Sequence, residues 1–351
     1  MVVSGWPRLS EVFALNELRA LHRAGMLAAV FATKPGESGL RQPATAELDD
    51  LVEVLPAGDA DVQGAAVARR LAGTGVAAAH GYFAHHPAAV ARAAARRLGV
   101  RFGFSAHALD VRKVPAHELA ARAAKAAVVV CCNPDAGADL EAAGVTPVAQ
   151  RHGVDLTAFP HAAPSDRPVA ALLAVGRFVE KKGFDVLVDA MALLPGDATL
   201  DILGDGPLRP AVEAQVAAHG LGGRVRLPGR CTHAGLAARY ADADVVVVPS
   251  VVDGAGDRDG LPNVVLEAMA VGRPVVASDV AAISSGVRDG VTGLLEPARD
   301  PAKLALALTE LIDDRDRRHA LGRAGREAAE QHFDLDRCTA ALCATLEQHY
   351  A

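Results

Sequence analysis

The sequence predicts an α/β protein of two doubly wound, parallel-sheet domains facing a common cleft. Three observations carry the prediction. Short Val/Leu-rich runs alternate with Ala/Arg/Leu-rich helical stretches, this alternation occurs twice, and a turn-rich segment separates the two rounds. Alternation of this kind covers both faces of a parallel sheet with helices. At 351 residues the chain is long enough for two domains of ordinary size.

In the first round the strand candidates are Leu27–Ala32, Val76–Ala79, Arg101–Ser105, Ala127–Cys131 and Val148–His152, preceded by a short Val2–Ser4. In the second they are Ala170–Val175, Thr199–Leu203, Val225–Leu227, Val245–Val248 and Pro274–Ala277. Ser10–Ala24, Ala88–Leu98, Asp135–Ala143, Phe184–Leu194 and Leu208–His219 read as crossover helices. The Pro- and Ala-rich stretch Phe159–Pro168 reads as the linker. The expected domains are therefore 1–164 and 165–334, with a terminal helix over 335–351 packing back on the first. Ligands of such sheets bind outside the C-terminal strand ends.

Composition narrows the class. Hydrophobic residues make up 51% of the chain and mean hydropathy is +0.19, as expected of a well-cored soluble protein. Apolar stretches such as Val245–Pro249 and Ala126–Cys132 are strand-length, far short of the ~20 residues of a membrane span. Met1–Pro7 shows no basic segment followed by an apolar one, so no signal peptide is read there. The five cysteines include no Cys-x-x-Cys pair, which points away from metal and disulfide frameworks and towards a reducing cytoplasm. Net charge is −6, against a nucleic-acid partner. Residues 1–164 carry 16 Lys/Arg and 15 Asp/Glu, residues 165–351 carry 20 and 27. An anionic ligand must then be held by a few placed cations rather than by a general field.

The most informative segment is Asp259-Gly260-Leu261-Pro262-Asn263-Val264-Val265-Leu266-Glu267. An acid precedes a Gly-x-Pro turn, the proline opens an apolar helix, and Glu267 lies about a turn and a half inside it. Proline suits a first helical position, where its missing N–H would have no partner. The free N–H groups and the helix dipole make an anion site, flanked by two acids able to grip sugar hydroxyls. Glu267, set among Leu266, Ala268 and Met269, needs a hydrogen-bonding partner, and ribose hydroxyls would serve. His80, His85, His86 and His107 raise a metal reading, but Pro87 directly after the adjacent pair keeps those two rings off one helix face. No metal is expected; His80 and His85 are read as cleft-lining polar residues.

Taken in order, the segments resemble the retaining glycosyltransferases of family 4, which have the GT-B architecture of two Rossmann-like domains. The resemblance covers nearly the whole chain. Ala174–Gly183 looks like the family's diphosphate-gripping loop, Ile202–Pro207 like the next strand and turn, and Asp259–Glu267 stands at its Glu-x7-Glu motif. Val225–Gly229 and Asp244–Ser250 continue the series. Pro7–Phe13, which contains Ser10, looks like the opening loop of a polysaccharide-biosynthesis branch, and Phe104–Asp110 and Arg151–Asp155 resemble its later segments.

The resemblance implies roles by position. Arg177 and Lys182 would contact the donor diphosphate and stabilise the leaving nucleotide; Glu267 would hold the ribose. Gly260, Leu261, Pro262 and Asn263 would offer backbone groups to the sugar and phosphates, with Gly204 beside them. The backbone at Arg230 would meet the base, and His107 the donor sugar near its anomeric centre. Asp110 is expected to cap the turn after it. Ser10, His80 and His85 would lie on the acceptor side. Asp259 departs from the family's glutamate and reaches ~1.3 Å less far. Ser284-Ser285-Gly286 departs from a Pro-Glu-aliphatic run.

The implied reaction moves a hexose-type sugar from a nucleotide diphosphate sugar, UDP first, to an acceptor hydroxyl with retention. In the family's account the acceptor attacks on the leaving-group side and gives its proton to a donor phosphate oxygen. No cofactor or metal is expected, since cations and a helix dipole take that place. Arg92–Arg97 has arginines but no aromatic anchor, so membrane contact is at most peripheral. A small soluble acceptor such as an antibiotic or aminocyclitol intermediate is favoured. The alternatives are a lipid-linked exopolysaccharide intermediate, a sugar-nucleotide epimerase or pseudo-glycosyltransferase, and a binding protein without turnover.

Overall fold

A computed structural model describes residues 1–351 apart from Leu9, Ser10, 38–41, Asp166, Pro168 and Val169. The chain forms two compact units, one of 1–153 with 335–351 and one of 154–334.

The first unit is built on β1 (Val2–Trp6), β2 (Val30–Pro35), β3 (Val52–Val54), β4 (Ala78–Gly81), β5 (Arg101–Ala106), β6 (Val128–Cys131) and β7 (Val148–Ala149). These strands lie parallel in the order β3-β2-β1-β4-β5-β6-β7. The order reverses between β1 and β4, as in a doubly wound sheet. β1 and β6 are buried along their whole length, which explains the unbroken apolar sequence of β6. The Leu335–Tyr350 helix completes this unit: Leu342 and Leu346 join Leu18, Leu21, Val128 and Val130 in one apolar cluster.

The second unit carries β8 (Ala171–Val175), β9 (Thr199–Leu203), β10 (Val225–Gly229), β11 (Val245–Val248), β12 (Val275–Ser278) and β13 (Gly293–Glu296). They are parallel in the order β10-β9-β8-β11-β12-β13, with the reversal between β8 and β11. Leu187, Leu200, Ile202, Val247 and Leu308 form the heart of the apolar layer on one face.

The α/β, doubly wound parallel reading holds for each unit. Three boundaries differ. Segment 154–164 belongs to the second unit rather than to a first domain ending at 164. Val154 bridges to Asp334, and fully buried Phe159 packs its ring 4.5 Å from His233 and 5.7 Å from Tyr240. The described part of the expected linker is likewise held in place: Ala162 N–H donates to Val271 and Arg273 donates to the Ala163 carbonyl. β1 runs two residues beyond Val2–Ser4, while β3 and β13 lacked a recognisable run in the sequence. β3 is three residues long and exposed at its end, and β13 starts on a glycine. Among the described residues, no helix is long and apolar enough to cross a membrane.

Candidate functional site

In the second unit, the loops after β8 and β11 meet where the strand order reverses, the position at which doubly wound sheets open a crevice. After β8 the chain makes a short 3-10 turn, Glu180–Lys182, closed by Gly183 at φ +61°. A Cβ on Gly183 would lie 1.9 Å from the Pro249 carbonyl oxygen, so only glycine lets the two loops cross so closely. The Val251 N–H donates to the Lys181 carbonyl at 2.9 Å and fixes the crossing.

This crossing brings Lys182 to Asp259. Lys182 Nζ donates to Asp259 Oδ2 at 2.7 Å, and the Ser250 hydroxyl donates to the same oxygen at 2.9 Å. Lys181 Nζ lies 3.5 Å from Asp259 Oδ1 and 3.0 Å from Asp257 Oδ2. Asp259 is buried, which alone would raise its pKa. The Lys182 and Lys181 charges and the two hydrogen bonds outweigh this and hold it below the usual carboxylate range. The Lys182 stem lies over Gly176, where an added Cβ would come within 3.2 Å of it.

Beyond Asp259, Gly260 and Leu261 lead to Pro262, which caps the Asn263–Val271 helix in extended conformation rather than occupying its first turn. Among the described residues no side chain caps this start; the Val265 N–H donates to the Pro262 carbonyl at 3.0 Å, and the Asn263 and Val264 N–H groups are those left for solvent or a ligand. Glu267 is buried in the helix and already partnered: Tyr240 donates to Oε2 at 2.8 Å and His233 Nε2 lies 3.2 Å from Oε1. A carboxylate offers about four acceptor sites, so ribose hydroxyls retain room beside these partners. Burial first, then the Glu267 charge, keeps the Tyr240 phenol well above its ordinary pKa and therefore protonated.

Gly204 sits at φ +138°, with the Gly176 carbonyl oxygen 1.8 Å from where its Cβ would stand. Its smallness serves this backbone crossing between the ends of β8 and β9. Arg177 and Arg230 follow β8 and β10 with exposed side chains. The Ser284–Gly286 departure also gains a reason: a Cβ on Gly286 would lie 2.6 Å from Leu261 Cδ1, so glycine makes room for the turn's leucine.

In the first unit, His107 follows β5 and is 8% exposed. Asp110 does more than cap a turn. Its carboxylate accepts from the His107 and Ala84 backbone N–H groups, both at 2.6 Å, joining the ends of β5 and β4. Burial raises Asp110 to about 7. The rings of Phe13, Tyr82, Phe83 and His152 surround His107 with centroids 5.0–5.3 Å away. Among the described residues neither His107 ring nitrogen has a hydrogen-bond partner, and burial first, then the His152 charge, holds the ring well below its ordinary pKa. His107 opens on a small cavity shared with Glu17, Ser105, Cys132, His152 and Thr339.

The acceptor-side residues fare differently. His80 is buried with Nδ1 on the Tyr350 hydroxyl at 2.6 Å and Nε2 on Ser105 at 2.9 Å; both nitrogens are used inside the fold and none faces an acceptor. His85 caps the His86–Leu98 helix, accepting from His86 N–H, and stacks on Phe83 at 5.6 Å. Ser10 lies outside the described residues. Lys181, Ser250, His233 and Tyr240 belong to the second unit's constellation without having been singled out in the sequence. Lys181 adjoins a motif residue and Ser250 ends the Asp244–Ser250 segment, but no local pattern announces Tyr240 or His233.

Residues 170–314 match the family model described as Glycosyl transferases group 1. The chain is 37% identical over 224 residues to the D-inositol 3-phosphate glycosyltransferase of Xylanimonas cellulosilytica, covering 59% of this chain and 51% of that protein. It is 33% identical over 168 residues to the alpha-D-kanosaminyltransferase of Streptomyces kanamyceticus, covering 47% and 39%. It therefore spans about half or less of the length of these relatives. Among solved structures, the Anabaena protein Alr3699/HepE in complex with UDP and glucose superposes with a TM-score of 0.81 at 18% identity, over 99% of both chains. The sucrose-phosphate synthase of Thermosynechococcus elongatus gives 0.80 at 24%, over 99% and 98%. The fold is that of the GT-B glycosyltransferases, and the resemblance to family 4 rests on the group 1 segment and these relatives together.

Proposed function

We propose that the protein is a retaining glycosyltransferase that moves a hexose-type sugar from a nucleotide diphosphate sugar to an acceptor hydroxyl. The observation that carries this is the joining of Lys182, Asp259 and the uncapped Asn263–Val271 helix start at the β8/β11 reversal, with Glu267 held one turn inside. Lys182, Arg177 and the helix start would take the diphosphate charge that builds on the leaving group, without a metal there. Glu267, positioned by Tyr240 and His233, would take the ribose hydroxyls. Asp259 would face the donor sugar.

Retention is the course that the resemblance to family 4 implies: the acceptor attacks on the leaving-group side and passes its proton to a donor phosphate oxygen. The UDP held by the Anabaena protein makes UDP the first base to test. The relative named for D-inositol 3-phosphate supports a small soluble cyclitol-type acceptor. A relative 35% identical over 181 residues, the GDP-mannose-dependent phosphatidylinositol monomannoside mannosyltransferase of Mycobacterium tuberculosis, supports a lipid-linked one instead.

Thermal-shift measurements with UDP-, GDP- and dTDP-sugars test the donor. A ligand at a hundredfold its Kd should stabilise by ~2.7 kcal/mol. Glu267→Ala should lose this shift while keeping its fold, and an unchanged shift in that variant overturns the assignment. Incubation of donor without acceptor separates transfer from epimerisation.

A further inference from the structure

We infer that the first unit holds a zinc site formed by His107, Cys132 and His152, with Glu17 as the carboxylate that orients His152. One ligand atom from each of the three lies within 4.8 Å of the others. A tetrahedral zinc needs ligand atoms ~3.3–3.6 Å apart, from Zn–N and Zn–S bonds of ~2.0 and ~2.3 Å, so small side-chain shifts close the set.

Four features of the cavity point to an occupant. Both ring nitrogens of His107 are buried without a partner, and so are His152 Nε2 and Thr339 Oγ1. All three residues line the same cavity. A buried polar atom left unpaired is destabilising, and such atoms converging on one space call for something polar between them. The second feature is the Glu17 Oε2 contact to His152 Nδ1 at 2.8 Å. It makes Nδ1 the donor and aims Nε2 inward, and the ring gives up its Nε2 proton as zinc binds, the carboxylate–histidine arrangement found behind metal-bound imidazoles. The third is chemical: one thiol and two imidazoles are borderline-soft donors, suited to zinc and not to magnesium or calcium. The fourth is that three protein ligands converge among the described residues, leaving a fourth position for water in the cavity that Thr339 also lines. Cys132 gives up its thiol proton as zinc binds.

In the sequence His107 is one of four histidines that raise a metal reading, and neither of its partners in this site is among them. Cys132, His107 and His152 follow the ends of β6, β5 and β7, and only the parallel β5-β6-β7 arrangement puts them side by side.

The site does not rest on the transferase reading, and its test does not use activity. The full chain is stripped with a chelator and titrated with ZnCl2, and bound metal is counted by mass spectrometry. Co2+ serves as the spectroscopic probe. The expected result is one zinc per chain and a thiolate-to-cobalt charge-transfer band that Cys132→Ser abolishes. Glu17→Gln should weaken zinc about 10–100-fold. Far less than one zinc per chain, or a Cys132→Ser protein with unchanged zinc affinity and cobalt spectrum, overturns the inference. Should Cys132→Ser not fold, the wild type still decides. Zinc should protect Cys132 from iodoacetamide while Cys231, in the second unit, continues to react, and equal alkylation of Cys132 with and without zinc overturns the site.

Discussion

Lys182 Nζ and Asp259 Oδ2 are 2.7 Å apart, so the cation assigned to the diphosphate and the acid assigned to the sugar are each other's partners. Ser250 and Lys181 brace the acid from other directions, so it stays paired when Lys182 turns to a ligand. Lys182→Ala should lower kcat/KM by ~10²–10³, the usual cost of removing one preorganised charge. Circular dichroism should be unchanged, because Asp259 keeps Lys181 and Ser250. Wild-type kcat/KM in that variant would remove Lys182 from the mechanism.

Tyr240→Phe removes the hydroxyl that donates to Glu267 Oε2 at 2.8 Å and leaves a buried carboxylate with His233 alone of the two. Chemical denaturation should show a loss of ~1–3 kcal/mol. Donor affinity should fall with it, since Glu267 loses its fixed orientation. A stability change within error would mean that Tyr240 does not hold Glu267.

Gly204→Ala places a Cβ 1.8 Å from the Gly176 carbonyl oxygen at a backbone angle of φ +138° that L side chains rarely adopt. The variant should lose more than ~1 kcal/mol of stability. Its melting temperature is the readout, and a tolerated alanine would show that the β8 and β9 turns do not cross as described.

His80 gives a pH signature. Burial drives it down to about 3, whereas an unfolded histidine titrates near ~6.5. Between those values the unfolded chain holds the extra proton, so this contribution is complete above ~6.5 and shrinks as pH falls. The loss is up to ~1.4 kcal/mol per pH unit until His80 itself protonates at about 3. Denaturation curves from pH 7.5 to 4.5 should show a shallower slope in His80→Gln than in wild type.

The parallel α/β pattern was legible because strands buried on both faces, such as β6 and β11, leave unbroken apolar runs. β3 was not, since three half-exposed residues leave no period to detect. The Asp259–Glu267 segment was legible because its turn, helix start and two acids are contiguous. Its supports were not: Tyr240, His233 and Ser250 are set by chain crossings, and neither spacing nor propensity encodes those. His80 shows the converse error, a histidine near a strand end read as facing an acceptor when Tyr350, 270 positions along the chain, takes one of its nitrogens.

The helix Leu335–Tyr350 completes the unit in which the chain began, after all of 154–334 has been laid down. On the ribosome, therefore, the middle of the polypeptide can reach its final form while the opening sheet still waits for Leu342 and Leu346 to seal Leu18 and Val130. Until the last turn of helix emerges, that apolar surface stays open to water and to chaperones.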